Sequence, residues 1–223
     1  MKTKTASTIK PAVHVSFKTK TQPLMKTIAT LLLTIALSCL YTSTTQATIL
    51  TNGSFETDGI LTASTSLTGW SVISGNIDTR NSLAWAPYDS LYSLDLVGNL
   101  PATIEQTFAT NSGATYTLSF AYANNPGIPT ASALVTVLDA ANATLLSQSF
   151  THSGSAVATM NYNLFSQNFV ADSATTKLRF TNTFSTANGG VVLDAVGVVP
   201  EPGSATLLLG SLGMLAARRR RSA

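Results

Sequence analysis

A period-two alternation in the middle of the chain constrains its fold more than any other feature. Tyr116, Leu118, Phe120 and Tyr122 alternate with Thr117, Ser119 and Ala121, so an extended segment there has one aromatic face and one small, polar face. Leu178 and Phe180 alternate in the same way with Lys177, Arg179 and Thr181. Residues 134–138 are continuously apolar apart from Thr136, the pattern of a strand covered on both faces. A last strand is predicted from Val191-Val192-Leu193 and Ala195-Val196, interrupted by Asp194. Further strands are predicted at 49–55, 70–73, 91–97, 103–108, 144–150 and 162–170. Turn-forming clusters such as Thr57-Asp58-Gly59, Ser74-Gly75-Asn76, Asn124-Asn125-Pro126-Gly127 and Asn188-Gly189-Gly190 separate them. Short strands at this spacing, with no clear internal repeat and no convincing helix between them, predict an all-β domain, a two-sheet antiparallel sandwich or jelly roll.

Charge narrows the reading. The chain has 13 Lys+Arg and 10 Asp+Glu, a net +3. Six lysines precede residue 27 and four arginines follow residue 217, which leaves 13 − 6 − 4 = 3 basic residues, Arg80, Lys177 and Arg179, between 48 and 199. Nine acids lie in that interval, so the domain itself carries 3 − 9 = −6. The basic isoelectric point belongs to the two ends, and an acidic domain with three cations is a poor nucleic-acid binder. Surface helices also need more charge than this, which again favours strands.

The ends read as addresses. Lys26 precedes an apolar run at 28–40, and small polar residues lead to Thr45-Gln46-Ala47. That is the layout of a secretory signal, 1–47, with cleavage expected after Ala47 and Met25 as the natural start. The chain's one cysteine, Cys39, falls inside it, so the mature domain has no thiol. At the other end Val-Pro-Glu-Pro-Gly at 199–203 is followed by an uncharged stretch at 205–217 and four arginines at 218–221. As a helix the stretch would be about 20 Å long, short against a bilayer core of about 30 Å. The arginines would hold it from the cytoplasmic side. The prolines keep the motif extended and accessible to a protease.

This order of motif, short transmembrane segment and basic stop resembles the PEP-CTERM sorting signal of exported bacterial proteins. The resemblance implies handling by an exosortase-type membrane enzyme that recognises Pro200, Glu201 and Pro202. It also implies export through the Sec machinery with signal peptidase, and a destination at the cell envelope, surface or matrix of a Gram-negative-type bacterium. The domain between, 48–198, resembles jelly-roll carbohydrate-binding modules and galactose-binding-like domains, nearest to the choice-of-anchor C group. The residues that carry this are Asn52-Gly53-Ser54-Phe55-Glu56, Trp70, Ser93-Leu94-Asp95-Leu96-Val97-Gly98, Ile104-Glu105-Gln106-Thr107-Phe108 and Val192-Leu193-Asp194-Ala195-Val196.

Two sets of side chains are the site candidates. In the resembling modules the first and last strands are neighbours, and an acid from each helps hold a structural calcium. Glu56 and Asp194 are the matching acids, with Asn52 and Asp58 as further oxygen donors. The alternative is a solvated Glu56 and an Asp194 that caps a backbone turn. Trp85 and Tyr88 are placed to offer aromatic faces to a sugar, with Arg80 and Asn81 close in sequence to bind hydroxyls. Trp85 is open between that role and packing, and Trp70 suits the core. For catalysis there is little: no nucleophile elbow, zinc-binding helix or phosphate loop occurs. His152 is expected in an exposed turn, and Glu105 is better explained as a strand-face residue than as a catalytic acid. The reading is therefore a non-catalytic exported protein that binds polysaccharide, with a purely structural envelope protein or a polysaccharide hydrolase as alternatives.

Overall fold

The computed structural model describes residues 47–184 and 188–201. The expected signal segment, Pro202, the 205–217 stretch and the arginine cluster lie outside the described residues. The strands are β1 (Leu61–Ser64), β2 (Ser71–Ser74), β3 (Ile77–Asn81), β4 (Tyr92–Asp95), β5 (Thr103–Ala109), β6 (Thr115–Asn124), β7 (Thr130–Leu138), β8 (Thr144–Ser153), β9 (Asn163–Val170), β10 (Thr175–Phe184) and β11 (Val191–Pro200). They form a six-stranded sheet, β1-β3-β4-β11-β6-β9, and a five-stranded sheet, β2-β5-β10-β7-β8. Every pairing is antiparallel. This is the two-sheet sandwich that the alternation predicts, in the jelly-roll form that the resemblance implies.

The core lies between the sheets, and the aromatic face of β6 is its centre. Phe120 stacks on Phe165 of β9 at 4.5 Å between ring centroids, and meets Phe180 of β10 edge-on at 5.0 Å and Phe150 of β8 at 5.1 Å. Trp70 is buried between Phe55 and Phe180, and its indole N–H donates to the carbonyl of Asn52. Trp70 is thus a core residue, as its apolar neighbours suggest.

The opening segment departs from expectation. Residues 49–55 form no strand; Asn52 and Phe55 take left-handed φ values of 52° and 60°. The segment still lies beside the last strand, because Ile49 N–H donates to Val198 and Val196 N–H donates to Gly53. A Cβ on Gly53 would sit 2.0 Å from the Val196 carbonyl oxygen, so only glycine allows this approach. The buried Gln106 side chain substitutes for a ladder by bonding both the N–H and the carbonyl of Thr51. In the other direction, β1 and β3 form where loops were expected. β3 contains the Asp78–Arg80 ion pair, two residues apart on one face, which reads as loop polarity in sequence.

Two buried carboxyl groups are shifted by their surroundings. Asp95 on β4 accepts N–H groups from Val97, Gly190 and Asn125, yet burial pushes its pKa up to about 7, with nearby Asp78 adding to the rise. Asp194 on β11 is likewise raised to about 7 by burial, with Asp89 adding to the rise. Each group holds a proton in the folded state that the unfolded chain has released above about pH 4. That contribution to stability is therefore full below about pH 4 and is lost as pH rises through about 7. The melting temperature should fall between pH 5 and pH 8, and Asp95→Asn should flatten that slope. A midpoint that rises over this range would contradict the assignment.

Candidate functional site

The site is built on the outer face of the six-stranded sheet. β11 breaks register between Asp194 and Gly197, where Ala195 has φ 49°. Such a bulge re-aims neighbouring side chains. Val192 and Asp194 share the strand parity that points away from the main core. Above them lies a second, smaller apolar cluster of Trp85, Ala123, Met160 and Val192, with Ala84 and Tyr162 packed against it. Residues 82–91 and 155–162 therefore cover part of this face. Ala86 N–H donates to Val157, and the Tyr162 hydroxyl donates to Ala86.

The covering loop is held by two acids. Asp194 is 0% exposed. One carboxylate oxygen accepts the N–H groups of Tyr88 at 2.9 Å and Asp89 at 3.0 Å, and the other accepts Ala195 N–H at 2.7 Å. Glu56 accepts the next N–H groups of the loop, Leu91 at 3.1 Å and Tyr92 at 2.9 Å. Asp89 closes the arrangement by accepting the Ser54 hydroxyl. Thus Glu56 and Asp194, 138 positions apart, grip one short loop from both sides.

This grip sets the position of Tyr88. Tyr88 is 49% exposed, and its ring packs edge-on against that of Tyr162 at 5.7 Å. It stands at the side of an open groove of about 310 Å³, whose floor includes Ser119 and Ala121 of β6, Leu164 and Ser166 of β9, and Ala195. Leu164 is 67% exposed. An aromatic wall, an apolar floor and a few hydroxyls form a surface suited to a ligand with both C–H and O–H faces.

Of the sequence candidates, Tyr88 alone lines this groove. Trp85 is 6% exposed, and its indole N–H is used by Ser93. Its ring anchors the cover and has no free face for stacking. Arg80 is tied to Asp78 at 2.5 Å and to the Leu61 carbonyl and Thr62 hydroxyl. Asn81 caps its own turn, accepting Leu83 N–H on the side chain and Ala84 and Trp85 N–H on the backbone. Asn52 turns to Asp58 and the Thr68 carbonyl, so it serves the 57–68 segment. His152 is a correction: it is buried on β8, with Nδ1 against Asn124 and Nε2 against the Asn161 carbonyl. Glu105 forms an ion pair with Arg179 at 2.6 Å on the five-stranded sheet.

Both oxygens of Asp194 and one oxygen of Glu56 accept backbone N–H groups. Calcium takes six to eight oxygen ligands, whereas Glu56 and Asp194 face five backbone N–H groups. Among the described residues no three His, Cys, Asp or Glu side chains gather as a metal cluster. Sequence reasoning missed Ser119, Ala121, Leu164 and Ser166. The signal was present in the small, polar alternate face of β6, which reads as ordinary solvent-facing strand until a loop is seen to wall it.

Comparison with known proteins places this architecture. Halomucin of Haloquadratum walsbyi is 29% identical over 170 residues, 70% of this chain and 2% of halomucin; the chain thus spans a very small part of that relative. Among solved structures, TmCBM61 in complex with beta-1,4-galactotriose superposes with a TM-score of 0.54 at 14% identity, over 69% of this chain and 99% of that one. A family 35 carbohydrate binding module from Clostridium thermocellum gives 0.43 at 19% identity, over 62% and 95%. The likeness to TmCBM61 shows a shared jelly-roll fold. Residues 198–221 match the PEP-CTERM protein-sorting motif, the mark of an exported protein sorted to the cell surface. Residues 48–199 match the family described as "Protein of unknown function (DUF642)", and the chain belongs to that family.

Proposed function

We propose that this is a non-catalytic surface protein whose jelly roll binds polysaccharide in the groove beside Tyr88. The observation that supports it most is an exposed aromatic ring held rigidly by its own backbone at the side of an open groove. A pyranose has an apolar C–H face that stacks on such a ring, and hydroxyls that Ser119 and Ser166 can bond. Rigid presentation lowers the ordering cost of binding. Because TmCBM61 was solved with beta-1,4-galactotriose, a β-1,4-galactan is the first probe, followed by a panel of neutral glycans. Tyr88→Ala should weaken binding about tenfold or more, roughly 1.4 kcal/mol, without lowering the melting temperature. Undiminished binding by that variant would remove Tyr88 from the site, and an empty panel would favour the purely structural reading.

The loop grip works without an ion in this proposal. Amide donors already engage both oxygens of Asp194 and one oxygen of Glu56, so melting in calcium and in a chelator should give equal midpoints. A rise of several degrees with calcium would restore these acids as ligands.

The exosortase route is the third part. Pro200 ends β11 opposite Tyr116, Glu201 N–H donates to the Thr115 carbonyl at 2.9 Å, and the Glu201 side chain accepts the Thr117 hydroxyl. The first two residues of the motif are thus docked on β6. An enzyme that reads Pro200-Glu201-Pro202 therefore has to lift this end from the sandwich. After Sec export and signal peptidase cleavage, mass spectrometry of the surface form should find a chain beginning at Thr48 and lacking the four arginines. A form that still ends at Ala223 would refute processing.

A further inference from the structure

The sandwich has one protected side and one open side. On one side the edge strands β1 and β2 are four residues long, and each breaks register with its partner. Short, irregular edges of this kind resist pairing with other chains. On the opposite side the edges are β8, ten residues, and β9, eight residues. Among the described residues β8 is paired only with β7, and β9 only with β6. No other backbone hydrogen bond between described residues reaches either strand. The two lie against each other across the core, where Phe150 and Phe165 meet at 6.5 Å.

Apart from one register shift at the start of β8, between the partners of Val137 and Leu138, the usual edge protection is absent here, and β9 pairs with β6 without a break. Residues 140–171 contain no Asp, Glu, Lys, Arg or Pro, in a domain that otherwise carries net negative charge. The two edges also share a short sequence. Leu145-Leu146-Ser147-Gln148-Ser149-Phe150 of β8 and Leu164-Phe165-Ser166-Gln167-Asn168-Phe169 of β9 agree at Leu, Ser, Gln and Phe. In both strands the Phe is buried, whereas Gln148 and Gln167 are exposed although they share the inward parity of that Phe. The side of the sandwich is thus open and uncharged, and lined by amide side chains of the kind that ladder well between strands.

We propose that β8 and β9 are the interface to a second copy of this chain. A twofold axis normal to the sheets sets each edge strand antiparallel to its own counterpart, so that both sheets continue across the seam. Such an isologous contact needs backbone groups and tolerant side chains. A second copy fits this surface because two acidic domains can approach without repulsion only where both lack charge. The protected edges on the far side stop growth at two, so the product is a closed dimer and not a filament. This interface does not depend on sugar binding.

Sedimentation of the protein recovered from the cell surface tests this, for the natural chain and for Gln148→Lys/Gln167→Lys. The natural chain should sediment as a dimer at micromolar concentration. The lysine variant, with a charge on each edge, should be monomeric with an unchanged far-ultraviolet spectrum. A monomeric natural protein, or a variant that remains dimeric, would overturn the proposal. Because Cys39 is the chain's one cysteine and lies in the expected signal, single cysteines along 163–170 give a second reading if the lysine variant fails to fold. Antiparallel self-pairing predicts a disulfide-linked dimer at one or two adjacent central positions. Cross-linking that is absent or uniform along the strand would contradict it.

Discussion

The carboxylate of Asp194 sits inside a strand, fully buried, with three backbone N–H groups pointing at it. A buried carboxyl without partners is costly, and here two of the three partners come from a loop more than a hundred positions away in sequence. The loop is therefore not free to leave the sheet. Its tether determines where Trp85 packs, where Tyr88 stands and how much of the outer face stays open. Glu56 adds a second tether on the same loop from the opening segment. The domain thus links its two sequence ends through one short loop, and the groove is what that loop leaves uncovered.

Much of the fold can be read from residue patterns, for physical reasons. The alternation at 116–122 is the inner and outer face of β6, and the run at 134–138 lies in β7, a central strand of its sheet. The sequence is less informative where polar side chains replace regular ladder bonds. Residues 49–55 have strand composition, but Gly53 presses on Val196 and Gln106 takes up Thr51, so the backbone turns. β3 looks like loop because its charges neutralise each other two residues apart. No local pattern reports such partnerships.

The site was partly legible. Asp194 stands out because an acid in an apolar strand demands a partner, and Glu56 through the resemblance that pairs it with Asp194. Both cation and amide donors answer that demand, and composition alone does not choose between them. Trp85 and Tyr88 share a loop, yet one is buried and the other half exposed, because an indole satisfied by Ser93 fills the cover while the tyrosine lies beyond it. The groove floor could not be read from sequence, since it is defined by which part of β6 and β9 the loop fails to cover.

The central claim is that the Asp194-held loop makes a polysaccharide site of the groove beside Tyr88. Its most direct test is nuclear magnetic resonance mapping of a bound glycan on the exported protein. The account predicts that shifts concentrate at Tyr88, Ser119, Ala121, Leu164, Ser166 and Ala195 while the five-stranded sheet stays unchanged. Shifts confined to the five-stranded sheet, or to loops remote from Tyr88, would contradict it.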